Sequence, residues 1–440
     1  MIPGARLQAA IELCQHIETA TEPADAVRAR YFRRRRYVGA KDRRAITERV
    51  FNLVRRRARL DWWIARAASD LAPSPRHRVV ADLALGGGAR PDEIARLFDG
   101  QQYCPATLDR HEFTLAQGLA GQPLNHPEMP DWVGLEYPEW LDPSLRQLWG
   151  PGLKAEMEAF NRPAALDLRV NTGLATVDEA REALAADGVE ALPTPLSPIG
   201  LRLEARPNLG GMAAFRQGLI EVQDEGSQLI ALLADARPGM TVVDYCAGAG
   251  GKTLALAAAM TRDGQLDGTL TACDVSAGRL RRMEDRLKRA RVKGVEGRLL
   301  DEAGDTWIEE RAASADRVLL DAPCSATGTW RRRPDARWRL TADDVGAECE
   351  RQRRLLDTAQ GLVRPGGRLV YATCSVLERE NEQPVADFLG RHPDFAVLDC
   401  ARLWRQILAA PCPVDGPFLR LSPAATQTDG FFVAILEHRA

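Results

Sequence analysis

Apolar residues recur at helical spacing through the first quarter of the chain. Leu7, Ile11 and Cys14 make one periodic face, and Ile46, Val50, Leu53 and Val54 make another, so residues 6–119 are predicted to be helical. Pro73, Pro75, Gly86-Gly87-Gly88 and Pro105 break the stretch into pieces. Gly, Pro and Asn cluster over 121–130, which predicts an all-helical domain over 1–128. The pattern then changes. Trp140, Leu141, Leu145 and Leu148 suggest a helix, Leu166-Asp167-Leu168-Arg169-Val170 alternates like a strand, and 177–186 is helical again. Gly200-Leu201-Arg202-Leu203 gives another short strand. Residues 129–218 therefore read as a small α/β connector without evident chemistry. Asp224 is a candidate cap for the helix that follows.

From Met240 onward, apolar β-branched runs alternate with helical stretches. Strands are predicted at 241–244, 270–274, 295–300, 317–321 and 368–373, with helices between them and a last strand at 430–436. Such alternation predicts an α/β domain over 219–440 with a doubly wound, mostly parallel sheet. Ligands in these sheets sit at the carboxyl ends of the strands.

Composition narrows the picture. A chain of 440 residues with 45% hydrophobic content has room for more than one core. It shows neither a membrane-length apolar run nor a charged-then-apolar leader, which predicts a soluble, cytoplasmic protein. The nine cysteines are odd in number and none forms a C-x-x-C pair. That argues against a disulfide framework or a zinc site. The net charge of −2 conceals an asymmetry, because residues 28–66 hold 15 Lys/Arg against three Asp/Glu. Arg33-Arg34-Arg35-Arg36 and Arg55-Arg56-Arg57 repel one another unless an anion arrives. A helical RNA-binding module fits this density, the alternative being a solvated helix face.

The chemistry gathers at the predicted strand ends. Asp244-Tyr245-Cys246-Ala247-Gly248-Ala249-Gly250-Gly251-Lys252-Thr253 joins a strand to strong helix-forming residues. Its glycines let backbone approach a ligand, and the helix start offers free N–H groups. It is not a Walker A loop, since Cys246 stands where glycine is required. Nor is it the dinucleotide G-x-G-x-x-G, since Thr253 holds the last position. Asp274 closes the second strand, where an acid can take ribose hydroxyls, and Asp301 follows the third, where it can accept from an adenine amino group; either acid can instead be a helix cap. With the loop they describe an adenosine-containing ligand. The fourth strand ends Asp321-Ala322-Pro323-Cys324-Ser325 and the fifth Ala372-Thr373-Cys374-Ser375. Two cysteines thus meet at neighbouring strand ends, whereas a buried cysteine is more often inert packing.

These motifs resemble the Sun/nucleolar-protein family of S-adenosyl-L-methionine-dependent RNA cytosine-C5 methyltransferases. The loop is similar to the family's D-x-C-A-x-x-G-G-K-T, and the two cysteine segments match its two cysteine motifs. Gln223-Asp224 and Gly430-Phe431-Phe432 also sit where the family has similar residues. The resemblance spans about 162–436. The basic helical N-terminus resembles the NusB-like domain of bacterial members that modify 16S rRNA, and no PUA-like domain follows the catalytic fold. Ala249 departs from the pattern: the family has proline there, so a φ restraint is lost and a looser loop is expected.

The resemblance implies a Rossmann-like class I methyltransferase fold, S-adenosyl-L-methionine bound by residues 246–252 with Asp274, Asp301 and Asp321, and RNA as the substrate of a monomeric enzyme. It assigns Cys374 as nucleophile at cytosine carbon 6 and Cys324 to product release. Asp321 then holds the amino/N3 edge of the base. Lys252 lowers a thiol pKa or contacts the substrate backbone. Arg331-Arg332-Arg333, just after the fourth strand, is read as phosphate-contacting, the alternative being a solvated loop. Other readings are an amino methyltransferase, which would show Asn/Asp-Pro-Pro-Tyr at the fourth strand, and a non-catalytic ribosome-assembly factor, which would lack a nucleophile. DNA cytosine methyltransferases lack the second cysteine motif. Within the family, 23S rRNA and tRNA are the alternative substrates.

Overall fold

The computed structural model describes residues 1–301 and 306–440, and the chain forms two compact units. One comprises Met1–Arg162 with Trp330–Leu340, the other Pro163–Thr329 with Thr341–Ala440.

The first unit is helical. Leu7, Leu13 and Ile17 of the helix Pro3–Thr19 pack with Ile46, Val50 and Leu53 of Ala40–Arg55, and with Leu60, Trp63 and Ile64 of Arg57–Ala67. These positions recur every three or four residues, which gives each helix one apolar stripe to bury. Helices continue past the Gly/Pro cluster through Asp142–Trp149 and Leu153–Phe160, so the unit ends at Arg162 rather than near 128. No helix among the described residues is long and apolar enough to cross a membrane.

The segment Trp330–Leu340 is integral to this helical core. Trp330 is buried edge-on to Phe160, with ring centroids 6.1 Å apart. Arg337 is wholly buried beneath it, and its Nη1 donates to the Glu136 carbonyl at 2.6 Å and to Asn161 Oδ1 at 2.5 Å. Trp338 Nε1 donates to the Val54 carbonyl at 2.9 Å. The expectation that Arg331, Arg332 and Arg333 all face phosphate is corrected here. Arg331 is buried and Arg332 half-buried, and only Arg333 is exposed.

The second unit holds two larger sheets. Strands β1 (Leu166–Val170), β2 (Leu192–Pro193), β3 (Gly200–Leu203) and β4 (Ile220–Val222) form an antiparallel sheet in the order β2-β3-β1-β4. The helix Val177–Ala186 packs on it through Ala180 and Leu184. After β5 (Thr241–Asp244) and a small hairpin, β6 (Thr261–Arg262) and β7 (Gln265–Leu266), come β8 (Thr269–Asp274), β9 (Val295–Leu299), β10 (Ala315–Asp321) and β11 (Val363–Thr373). The chain ends with β12 (Phe395–Leu398), β13 (Leu419–Leu421) and β14 (Phe431–His438). The sheet order is β12-β14-β11-β10-β5-β8-β9, with β13 paired to β14. Strands from β9 to β11 are parallel, and β14 returns antiparallel beside β11. The chain builds outward from β5 through β8 to β9, then crosses back to lay β10 on β5's other side. The carboxyl ends of β5 and β10 therefore flank a switch point, where α/β sheets open a crevice.

Candidate active site

At the end of β5 the chain turns through Tyr245–Gly250 into the helix Gly251–Ala259. Gly250, the cap residue, has φ +80°, and a Cβ there would lie 2.3 Å from Met283 Cγ. Glycine is thus required twice, by backbone hand and by packing. The looseness expected from Ala249 is countered from outside the loop. Arg286 Nη1 donates to the Ala249 carbonyl at 2.8 Å, while its Nη2 donates to Glu221 Oε2 at 3.0 Å. Asp274, at the end of β8, accepts from Gly248 N at 2.9 Å and from Ser276 N at 2.7 Å. It thereby fixes the loop.

Asp244 closes β5 wholly buried. Thr253 donates to its Oδ2 at 2.6 Å, but Oδ1 has no hydrogen-bond partner. Burial pushes this carboxyl up to about 7, with Thr253 opposing. Lys252 Nζ reaches across to Asp321 Oδ2 at 2.5 Å. Burial disfavours the lysine's charge, yet Asp321, then Asp244, hold it above its ordinary range, and it also feels Cys374. Cys246 turns into the core beside the β10 strand, and burial, then Asp321, push its thiol well up. Its side chain is packing, while its backbone belongs to the loop. Asp301 follows the edge strand β9 and is exposed.

The two cysteines meet because β10 and β11 are neighbours, with Asp321 opposite Ala372. Beyond the strands Gly328 N donates to the Cys374 carbonyl at 2.9 Å and Gly430 N donates to the Gly328 carbonyl at 2.8 Å. A Cβ on Gly328 would fall 2.1 Å from the Gly430 carbonyl oxygen, so only glycine lets these loops close. The result is a Cys324 Sγ···Cys374 Sγ distance of 3.4 Å. The hydrogen bond with Cys374, then burial, push the Cys324 thiol well above its ordinary value. No group of three or more His, Cys, Asp or Glu among the described residues is arranged to hold a metal ion.

Comparison with known proteins bears on the same residues. A family model described as 16S rRNA methyltransferase RsmB/F matches residues 231–437, and one for the ferredoxin-like domain of RsmF/B-like methyltransferases matches 137–209. A Xanthomonas campestris protein named ribosomal RNA small subunit methyltransferase B is 33% identical over 401 residues, which is 89% of this chain and 88% of that protein. The chain belongs to the RsmB/F methyltransferase family. A Cronobacter sakazakii protein of the same name is 36% identical over 304 residues, 68% of this chain; the match spans 66% of that relative's length. A solved methyltransferase homologue from Pyrococcus horikoshii is 29% identical, with a TM-score of 0.60, covering 71% of this chain and 99% of that one. In this RsmB/F-family chain the parallel-dominated sheet is consistent with the Rossmann-like methyltransferase fold, and the helical region fits a NusB-like domain.

The donor set fits the family's cofactor, S-adenosyl-L-methionine. The space beside Gly248, whose φ is +59°, is open within 4 Å of where a Cβ would stand. The unpartnered Asp244 oxygen suits a cationic ligand, and Val275, next to Asp274 and 52% exposed, offers an apolar face to a purine. Val275 and the orphaned oxygen escaped the sequence reading, although Asp244 opens the loop motif and Val275 follows a chosen acid.

Proposed function

We propose that this chain transfers a methyl group from S-adenosyl-L-methionine to carbon 5 of a cytosine in 16S rRNA, through a covalent bond between Cys374 and carbon 6. The observation that carries this reading is the pair of sulfurs 3.4 Å apart, at the sheet end that also holds the Lys252–Asp321 pair. S-adenosyl-L-methionine, when bound, supplies an electrophilic methyl group. Cytosine carbon 5 is too weak a nucleophile to take it unaided. The Cys374 thiolate adds at carbon 6 and moves electron density to carbon 5, which takes the methyl group; loss of the carbon-5 proton and expulsion of the thiolate then restore the ring. Asp321 has one oxygen on Lys252, and its side chain is 32% exposed, which leaves the other oxygen for the cytosine amino edge. Cys324, the neighbouring sulfur, acts after methyl transfer, in release.

A duplexed base cannot enter such a crevice, so the target is single-stranded or flipped. Exposed Arg33, Arg34 and Arg36 contact RNA phosphates, whereas Arg35 is occupied by Glu12 at 3.0 Å and by the Tyr31 ring. The enzyme works as a monomer in the cytoplasm, which suits its unpaired cysteines.

Two variants test the mechanism. Cys374→Ala should abolish turnover and form no protein–RNA adduct. Cys324→Ala should accumulate an adduct that survives denaturing electrophoresis and requires S-adenosyl-L-methionine. An adduct in Cys374→Ala and none in Cys324→Ala would reverse the roles. Mapping 5-methylcytosine in 16S rRNA, 23S rRNA and tRNA from a deletion strain tests the substrate; a loss outside 16S rRNA overturns that part.

A further inference from the structure

Between the two cysteine loops lies a carboxylate that the reaction above does not use. Glu380 ends the short turn Glu378–Glu380 after Cys374, and it is wholly buried. Its Oε1 accepts from Ser325 N at 2.7 Å and from Gln352 Nε2 at 3.2 Å. Its Oε2 accepts from the hydroxyls of Ser325 and Ser375. Ser325 follows Cys324 and Ser375 follows Cys374, so one carboxylate ties down the peptide beyond each sulfur. Gln352 extends the tie by donating to the carbonyl of Pro323, on the other side of Cys324, at 2.8 Å. Thr327 Oγ1 lies 3.1 Å from Ser375 Oγ and accepts from Val376 N at 3.0 Å.

Four donors and no acceptor surround the group, which suits an ionised, acceptor-only carboxylate. No basic side chain pairs with it among the described residues. A buried charge without a counter-charge lowers stability unless hydrogen bonds make up the loss. Such a group does more than fill space when it stands beside two sulfurs that share a hydrogen bond.

Either sulfur can donate in an isolated pair. Glu380 removes that symmetry, because it holds Ser325 through both backbone and hydroxyl but Ser375 through the hydroxyl alone. We infer that Glu380 is a positioning residue that fixes the spacing of the two sulfurs and keeps the shared proton on Cys324, leaving Cys374 as the attacking sulfur. Its charge adds to the upward push on the Cys324 thiol, after the Cys374 hydrogen bond and burial, and it is also felt by Glu348, Cys349 and Tyr371. The inference rests on the division of labour between the cysteines proposed above.

Glu380→Gln keeps the length and the oxygen facing Ser325 N, while the serine hydroxyls can turn to accept from its amide. The free protein is treated with iodoacetamide, and the rates at Cys374 and Cys324 are read by mass spectrometry. Wild type should react faster at Cys374, and Glu380→Gln should lose about tenfold of that preference. An unchanged preference overturns the proton assignment. The assay uses neither RNA nor cofactor, so its outcome is separate from that of the adduct test. In turnover, Glu380→Gln should lower kcat about 100-fold, with KM for RNA and Kd for S-adenosyl-L-methionine within about twofold of wild type. Wild-type kcat in Glu380→Gln, or in a folded Glu380→Ala, overturns the positioning role.

Discussion

Asp244 has a protonation that the fold itself sets. Burial raises its carboxyl to about 7 from an ordinary 3.8, so the folded protein holds a proton that the unfolded chain has released between those values. Stability from this group is full below about 4, declines as pH rises toward 7, and is flat above. Asp244→Asn removes the dependence. Its unfolding temperature, measured without cofactor, should gain on wild type steadily between pH 5 and 7; a constant gap would mean that the carboxyl titrates normally. The same variant should bind S-adenosyl-L-methionine about tenfold more weakly, by calorimetry, if a cationic ligand faces the unpartnered oxygen. At this scale Lys252, Asp321, Cys324 and Cys374 were legible, because each stands at a strand end or in a glycine loop. Glu380 was not. It stands between Glu378 and Glu382, and local spacing says nothing about which of the three is buried.

The strand, loop and helix around Gly250 form the element proposed to hold the cofactor. Gly250→Ala should be costly for two separable reasons, the left-handed backbone, about 1 kcal/mol, and the collision with Met283. Met283→Ala should therefore recover part of the lost S-adenosyl-L-methionine affinity and thermal stability. Equal losses in both backgrounds would remove the collision from the account. Strands 241–244, 166–170 and 200–203 were read from their apolar pattern and occur as read. β4, three residues long, and β12 were missed; each is held by pairing with a strand distant in sequence, β1 and β14 respectively, which local alternation does not record. The helix cap at Asp224 was legible from residue type, and its Oδ1 accepts from Gly226 N at 2.9 Å.

At the scale of the whole molecule, the helical unit carries the basic surface. Replacing Arg33, Arg34 and Arg36 by Ala should weaken RNA binding. It should also flatten log Kd against log salt by about 0.7–0.9 for each phosphate that is no longer neutralised. Replacing Arg35 alone should cost stability through Glu12 and leave the slope unchanged. A wild-type slope in the triple variant would place RNA elsewhere. Sequence alone determined the classes of element, the glycine loop and the two cysteine motifs, because these depend on periodicity and on residue types within a few positions. It also determined the charge asymmetry, which is a matter of counting. Tertiary structure decided the rest. Only sheet order, with β10 laid between β5 and β11, brings residues 50 apart in sequence to 3.4 Å. Only packing draws Trp330–Leu340 into the helical unit and buries Arg331 and Arg337 there. Burial and charge pairing depend on neighbours distant along the chain, and a local pattern carries no record of them.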